Sequence, residues 1–330
     1  MPVNLDALRR RLTSALADRR ISASEAQSLL SEATREGLAP EETAFLRDVL
    51  ARNADRFEPG ADTALRKLLE TPRRDLPDPA LLNKHQGQLG FEVYEGELFV
   101  DGAKETDVLQ GSIANCYMVS SFAAVAHTHP EVIENAIRDN GDGTFTVKLY
   151  EQSDYGAPKQ VEITVDGDLP TAQGATKPKY AKDAQAGELW VPILEKAFAQ
   201  WKGNYDAIGN GGSPGEVMSA LLGTRGTYFG LREGMDGDAL YRQLKAGLDS
   251  GKAVVAATHG EEQEALYSGT GLYAWHAYTV LGVSEENGVK KVTLRNPWGY
   301  SEPGGNGPDD GIFQLTLAEF AKYYAGVWMN

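Results

Sequence analysis

Cys116 is the only cysteine of the chain and the residue best suited to covalent chemistry. It opens the apolar segment CYMVSSFAAVAH, whose pattern predicts a helix, and a helix N-terminus favours the thiolate form of cysteine. Nucleophilic catalysis also needs a base, a group that orients the base, and donors for an oxyanion. A lone cysteine excludes an internal disulfide and a cysteine-rich zinc site. The alternative to a nucleophile is a buried structural thiol.

His276 is the histidine best placed to act as the base. The chain has five histidines, at His85, His127, His129, His259 and His276. His276 begins the apolar run HAYTVLGV, where an imidazole needs a polar partner. The next strand-like run ends in RNPWG, so Asn296 would accept from one imidazole nitrogen and Trp298 would shield that bond from water. Gln110 lies six residues before Cys116, where its amide would donate to an oxyanion together with the Cys116 N–H.

These residues must be positioned by a mixture of helices and strands. Helical patterns dominate residues 116–250, including the amphipathic run ELWVPILEKAFAQWKG from Glu188. TFTVKLY and KQVEITV alternate as strands do, and further strand-like runs, AVVAAT, VKKVTLR and GIFQL, follow from residue 253 onward. This order predicts the α+β fold class.

The chain resembles a known family of proteases. Four residues follow the order of the papain-like catalytic residues: Gln110, Cys116, His276 and Asn296. The strings QGSIANCYMVSSFAAVA, VEITVDGDLPT, WHAYTVLGV, TLRNPWG and DGIFQLTLAEFAKYY are similar to segments of calpains, in colinear order over about residues 90–330. Asn115 and Tyr117 stand where calpains usually have Asp and Trp.

The resemblance implies a papain-like fold with a Cys-bearing subdomain at 91–210, a His/Asn-bearing subdomain at 211–330, and the active cleft between them. It also implies hydrolysis of peptide bonds in protein or peptide substrates. Cys116 would attack the carbonyl, His276 would protonate the leaving amine and then activate water, and Asn296 would orient His276. Trp298 would shield the His–Asn pair.

Calpain cores bind calcium, and the resemblance implies one calcium site in the Cys-bearing subdomain. Its ligands would be backbone carbonyls and carboxylates, from Val100, Gly102, Asp107 and Glu188. These are the hard oxygen donors that calcium requires. A second site is not expected, because Ile312 stands where the family usually has a carboxylate.

Residues 1–72 form a different region, which the resemblance does not cover. Residues 1–80 carry 13 Lys/Arg and 14 Asp/Glu, so the net charge of -15 belongs almost wholly to the later residues. A weak repeat, with Leu29 matching Leu46, suggests helix-loop-helix units of EF-hand type that lack the calcium-ligand pattern. We expect a small helical domain that acts as a docking module or as a removable pro-region of a zymogen. The proline-containing linker at 73–90 would expose a cleavage point at Arg73 and Arg74.

Charge and hydropathy argue against two classes of partner, nucleic acids and the membrane interior. A net charge of -15 argues against binding to a nucleic-acid backbone, and no apolar run reaches the ~20 residues of a membrane span. The first residues lack the apolar region of a secretory signal peptide. We therefore expect a cytoplasmic protein by default, with export by a route independent of such a signal still open.

Two other functions remain open on the same sequence. A papain-fold acyl transferase of transglutaminase type would also use Cys and His, although Asn296 and Gln110 favour the protease. A non-catalytic, calcium-responsive binding module would retain the residues without the reaction.

Overall fold

The computed structural model describes residues 5–33, 40–69, 74–94, 96–153, 156–184, 187–304 and 308–330. The chain forms two compact units. The first comprises Met1–Asp75 and Asn140–Thr144, and the second comprises Leu76–Asp139 and Phe145–Asn330. Within these described ranges, no helix is both long and apolar enough to cross a membrane.

The described part of the first unit is helical. Its helices are α1 (Leu5–Ala15), α2 (Ala23–Ala33), α3 (Pro40–Arg52) and α4 (Thr63–Leu69). Each helix places a leucine in one shared core, and Leu8, Leu29, Leu46 and Leu65 are at most 1% exposed. The two leucines matched by the sequence repeat, Leu29 and Leu46, are both in this core. The proposed cleavage residue Arg73 lies outside the described residues.

The second unit combines helices with several antiparallel sheets. Its helices are α5 (Cys116–Thr128), α6 (Pro130–Ala136), α7 (Trp190–Lys202), α8 (Pro214–Leu222), α9 (Gly237–Asp249) and α10 (Leu317–Tyr323). Its first strands are β1 (Leu89–Val93), β2 (Val108–Leu109), β3 (Ile137–Asp139), β4 (Thr144–Glu151), β5 (Lys159–Asp166), β6 (Asp168–Ala172) and β7 (Lys182–Asp183). The later strands are β8 (Thr227–Gly230), β9 (Val254–Thr258), β10 (Ala277–Glu286), β11 (Val289–Arg295), β12 (Ile312–Thr316) and β13 (Tyr324–Met329). The predicted α+β class is confirmed.

Helix α5 lies in the centre of the larger hydrophobic core. Its residues from Tyr117 to Ala126 are all buried, because most of them are apolar and the hydroxyls of Ser120 and Ser121 donate to backbone carbonyls. Phe122 packs on Phe198 of α7 with ring centroids 5.6 Å apart, and Met218 of α8 belongs to the same core. The helix that begins with Cys116 is therefore held on several sides.

A six-stranded sheet carries the second half of the unit, in the order β12-β11-β10-β9-β13-β8. Strands β10 and β11 are antiparallel, with Thr279 opposite Arg295. The residue before β10 and the residue after β11 therefore lie side by side, at the same end of these two strands. Helix α5 is hydrogen-bonded to this sheet, because the Ser120 hydroxyl donates to the Ala277 carbonyl of β10 at 2.9 Å.

The segment interpreted as a linker is ordered within the second unit from Leu76 onward. The Leu76 N–H donates to the Asp166 carboxylate at 2.6 Å, and Leu82 is only 2% exposed. Lys196, which is 1% exposed, forms ion pairs with Asp78 at 2.6 Å, with Asp166, and with Asp168. A proline-rich composition did not reveal this anchoring, because the partners come from distant residues.

Helix α8 packs with the first of two hydrophobic clusters in the unit. Val217, Met218 and Leu221 share a cluster with α5, whereas the second cluster begins at Leu231 and includes β10 to β13. Val255 of β9 and Ala277 of β10 also belong to the first cluster, so the sheet contributes to both clusters. The subdomain boundary at 210/211 stays a prediction.

Candidate active site

Cys116 is the first residue of α5, as the sequence predicted. The loop before it is fixed by backbone hydrogen bonds to two other segments. The Ser112 N–H donates to the Lys179 carbonyl at 3.0 Å, and the Ala114 N–H donates to the Gly209 carbonyl at 3.0 Å. The thiol is half-buried. The nucleophile candidate therefore sits at a helix N-terminus whose approach is rigid.

Asn115 precedes the thiol and is fully buried. Its side-chain amide donates to Glu195 of α7 at 2.5 Å, and the other Glu195 oxygen accepts the Ala181 N–H at 3.0 Å. Burial raises the pKa of Glu195 to about 7, and the two donors only partly oppose that effect. This pair ties the start of α5 to α7.

His276 directly precedes β10 and Asn296 directly follows β11, so the two side chains meet at the adjacent ends of these strands. His276 Nε2 lies 2.9 Å from Asn296 Oδ1, and Asn296 is fully buried. Asn296 Nδ2 donates to the Ser301 carbonyl at 3.2 Å, and the Trp298 N–H donates to Asn296 Oδ1 at 3.2 Å. These two bonds fix Oδ1 as the atom facing the imidazole. Nε2 must then carry the proton, which leaves Nδ1 with the lone pair.

An aromatic shell surrounds the imidazole. Trp298 lies 4.7 Å from His276 between ring centroids, and Tyr278 lies 4.8 Å away. His276 is 6% exposed, and this burial lowers its pKa to about 4, although the hydrogen bond with Asn296 acts in the opposite direction. The imidazole is therefore neutral at neutral pH.

Cys116 and His276 line one cavity of about 80 Å³. Burial raises the pKa of the Cys116 thiol, while a hydrogen bond from the Ala277 backbone opposes the rise. Thiol and imidazole are thus both uncharged in this structure at neutral pH. The cavity brings together the nucleophile candidate and the base candidate named by the sequence.

Gln110 is hydrogen-bonded to the residue that follows Asn296. Its backbone N–H donates to the Pro297 carbonyl at 2.8 Å, beside Asn296, and its side-chain amide donates to the Ile113 carbonyl at 2.8 Å. A primary amide has two N–H donors, and the second has no partner among the described residues. That donor is available for an oxygen of a bound ligand.

A second cluster of polar side chains lies near the start of α7. Single carboxylate oxygens of Asp107, Asp183 and Glu188 all lie within 4.8 Å of one another. Glu188 Oε1 accepts the Val100 N–H at 2.7 Å, whereas Glu188 Oε2 is buried with no hydrogen-bond partner among the described residues. Burial, and then the charge of Asp107, raise the pKa of Glu188. An oxygen-seeking cation would relieve this concentration of negative charge.

The loop that carries Val100 and Gly102 borders the same cluster. Asp101 and Gly102 have φ angles of 57° and 82°. Asp107 Oδ2 accepts the Lys104 N–H at 2.7 Å, which holds the loop against the carboxylate. Of the four residues predicted as calcium ligands, Asp107 and Glu188 come together here. Val100 contacts Glu188 through its N–H, and Gly102 lies beside Glu134.

Three residues near these sites were missed by sequence reasoning. Asp183 lies on β7, which pairs with β2, and no pattern in the sequence indicates that pairing. Glu195 carries a visible signal, because it is a charged residue inside the apolar run WVPILEKAFAQW. Trp275 directly precedes His276 and lines the cavity.

Comparisons with known proteins show which family this chain is similar to. The family model described as calpain family cysteine protease matches residues 91–310. Calpain-9 of Mus musculus is 29% identical over 238 residues, covering 70% of this chain and 33% of the relative. Calpain-5 of Caenorhabditis elegans is 30% identical over 244 residues, covering 64% and 37%. The calpain-type cysteine protease DEK1 of Zea mays is 31% identical over 218 residues, covering 64% and 10%. The chain thus spans at most 37% of the length of these relatives.

Proposed function

The chain belongs to the calpain family of cysteine proteases, and from that premise we propose that it is an endopeptidase in which Cys116, His276 and Asn296 hydrolyse peptide bonds of protein substrates. The observation that carries the proposal is the buried hydrogen bond between His276 Nε2 and Asn296 Oδ1, at 2.9 Å, on the wall of a cavity that also exposes Cys116. We further propose the papain-like division into two subdomains with the cleft between them.

In the proposed mechanism, the Cys116 thiol transfers its proton to Nδ1 of His276, and the thiolate sulfur attacks the substrate carbonyl carbon. His276 then donates that proton to the leaving amine as the C–N bond breaks, which leaves a thioester on Cys116. His276 next takes a proton from a water that attacks the thioester, and returns it to the Cys116 sulfur as the C–S bond breaks. Asn296 keeps the proton on Nε2 throughout, so Nδ1 always faces the reaction as the exchanging atom. Trp298 shields the His–Asn bond from water.

Formation of the imidazolium must overcome the burial that holds the pKa of His276 near 4. A bound substrate carbonyl brings negative charge to its oxygen as the thiolate attacks, and that charge favours the imidazolium. The free side-chain N–H of Gln110 and the Cys116 backbone N–H are the proposed donors to this oxyanion. Loss of one such donor typically lowers the rate about 10²–10³-fold, which sets the expectation for Gln110→Ala.

Acyl transfer of the transglutaminase type is the weaker alternative. The relatives named above are calpain proteases, and the base in this chain is oriented by an amide, Asn296. A non-catalytic binding module is also disfavoured, because Gln110, Cys116, His276 and Asn296 are all retained.

Casein cleavage tests the proposal directly. The full chain should cleave casein, and Cys116→Ala should remove the cleavage without unfolding, because the residue is small and only half-buried. Cys116→Ser is a matched control that keeps a hydroxyl in place of the thiol. Equal cleavage by the parent and Cys116→Ala would refute the mechanism, and incorporation of amines into glutamine without hydrolysis would favour the transferase.

We also propose one calcium site at Asp107 and Glu188, with Asp183 and the loop residues Val100 and Gly102 around it. The residues fit the ion, since the set offers hard oxygen donors and Glu188 Oε2 is buried without a partner. Bound calcium would neutralise this concentration of charge and stabilise the loop.

This loop is linked to the catalytic sheet through Arg295. Arg295 immediately precedes Asn296 and donates to the carbonyls of Val108 at 2.9 Å and Thr106 at 3.3 Å. Activation by calcium is therefore part of the proposal. Calorimetric titration with calcium should give one binding event that is weakened in Glu188→Gln, and casein cleavage should rise over the same concentration range. Cleavage that is unchanged across the titration would refute activation.

For residues 1–72, docking and pro-region roles both remain proposals. Mass spectrometry of the purified protein incubated with calcium distinguishes them, since a pro-region would yield a new N-terminus between 70 and 80. A full-length species that persists beside active casein cleavage would exclude processing as a requirement.

A further inference from the structure

Trp275 has a backbone conformation that bulky residues rarely adopt. Its φ angle is 50°, in the left-handed region, and its side chain is 49% exposed. The backbone is fixed from both sides. The Trp275 N–H donates to the His259 carbonyl at 2.7 Å, and the His276 N–H donates to the Thr258 hydroxyl at 2.9 Å. The surroundings therefore impose this conformation, which points to a use for the exposed indole.

The indole reaches from the histidine side of the cavity to the cysteine side. A methyl group placed on Gly211 would lie 2.8 Å from Cζ2 of Trp275, so the ring rests directly on that glycine. Gly211 in turn donates its N–H to the Ala114 carbonyl at 2.7 Å, two residues before Cys116. Trp275 thus closes one side of the space in front of the thiol.

The space that remains is small and largely apolar in its lining. Besides the thiol and the imidazole, its walls include Tyr117, Gly212, Pro214, Ala277 and Trp328. Its volume is about 80 Å³. An apolar protein cavity of about 150 Å³ accepts benzene, and this pocket offers roughly half that volume.

We propose that Trp275 sets the size limit of the substrate side chain that enters the pocket beside Cys116, admitting small aliphatic side chains and rejecting aromatic ones. The expected effect on peptide cleavage rests on the proposed peptidase function. The size limit itself is a property of the pocket and does not depend on that function. Replacement by glycine removes the indole and also suits the backbone, because glycine adopts positive φ freely.

Thiol alkylation measures the restriction without any peptide substrate. Cys116 is the only thiol, so a mass shift reports its reaction alone. The probes are iodoacetamide and its N-naphthyl derivative, with each rate divided by the rate for N-acetylcysteine. The parent should react with the bulky probe at least about tenfold more slowly than with the small one, and Trp275→Gly should bring the two rates within about twofold. Tyr300→Ala is the matched control, since Tyr300 is 53% exposed and packs on Trp298 but is not among the described residues that line the cavity.

Peptide hydrolysis then tests the consequence. The substrates are fluorogenic peptides that carry Ala or Phe at each of the two positions before the cleaved bond. For each position, kcat/KM for the Phe peptide is divided by kcat/KM for the Ala peptide. This ratio should be at least about tenfold higher in Trp275→Gly than in the parent. Trp275→Ala provides a second variant, and circular dichroism checks the fold of both. Equal normalised alkylation rates in the parent, or unchanged discrimination in a folded Trp275→Gly, would overturn the proposal. Lack of peptide hydrolysis with the alkylation result intact would refute the peptidase function and leave the size limit standing.

Discussion

Acidification should destabilise the second unit through His276. Its pKa in the folded protein is about 4, against an ordinary value of 6.5. The unfolded chain therefore binds the proton more tightly than the folded one. The stability that comes from keeping this imidazole neutral is complete above about pH 6.5 and is lost as the pH falls toward 4.

The size of the effect follows from the difference between the two pKa values. Each unit corresponds to about 1.4 kcal/mol, so the loss reaches about 2 kcal/mol at pH 5 and about 3 kcal/mol near pH 4. Other buried groups also titrate. The pKa of Glu195 is raised to about 7, so this carboxyl has the opposite effect, and its stabilising contribution is lost as the pH rises. The comparison must therefore be made against a variant that differs only at residue 276.

Urea unfolding followed by tryptophan fluorescence provides the measurement. The five tryptophans lie between residues 190 and 328, so their signal reports the second unit alone. His276→Phe keeps a ring in the aromatic shell but does not titrate, and its lower baseline stability is immaterial because only the pH dependence is compared. The parent should lose about 2 kcal/mol more than His276→Phe between about pH 7 and pH 5. Parallel curves for the two proteins would refute the assignment of a depressed pKa to this buried imidazole.

Three further predictions concern buried charges. Lys196→Met should destabilise the second unit by about 3–5 kcal/mol in urea unfolding, because it leaves three aspartates near one another without their shared cation. Asn115→Asp should place two carboxyls in hydrogen-bond contact at Glu195, so its destabilisation should grow from about pH 5 to pH 8 by about 1–3 kcal/mol; a pH-independent effect would contradict this account. Glu188→Gln should stabilise the calcium-free protein at pH 8, because burial raises the pKa of Glu188 and so disfavours its charged form. The variant should also lose the extra stability that calcium gives the parent, and thermal melts with and without calcium measure both effects.

The positions of Cys116, His276 and Asn296 could be anticipated because each belongs to a local string of distinctive composition. The strands around them were also foreseeable. VKKVTLR coincides with β11, and KQVEITV coincides with all of β5 but its last residue. Alternation and apolar runs are properties of neighbouring residues, and the register of β10 and β11 then brings the histidine and asparagine together.

The unforeseen features depend on residues that are distant in the chain. Asp183 joins the acidic cluster through the pairing of β7 with β2, and Glu195 reaches Asn115 across 80 positions. The proline-containing stretch before β1 gave the composition of a linker, yet Leu82 is buried in the core of the second unit. Composition describes what a segment prefers in isolation, whereas these contacts are decided by tertiary packing.

The sheet order has a consequence for the timing of synthesis. Strand β13 comes last of the six strands in sequence, but it lies between β9 and β8. On a ribosome that adds about 5–20 residues per second, the nucleophile helix would emerge roughly 10–40 s before this strand is complete. Until then the sheet lacks an internal strand next to β9, and β9 in turn borders the strand that follows His276. Assembly of the strands that position His276 and Asn296 is therefore expected to finish late, so a growing chain carries the Cys116 thiol for many seconds before this pair is in place beside it.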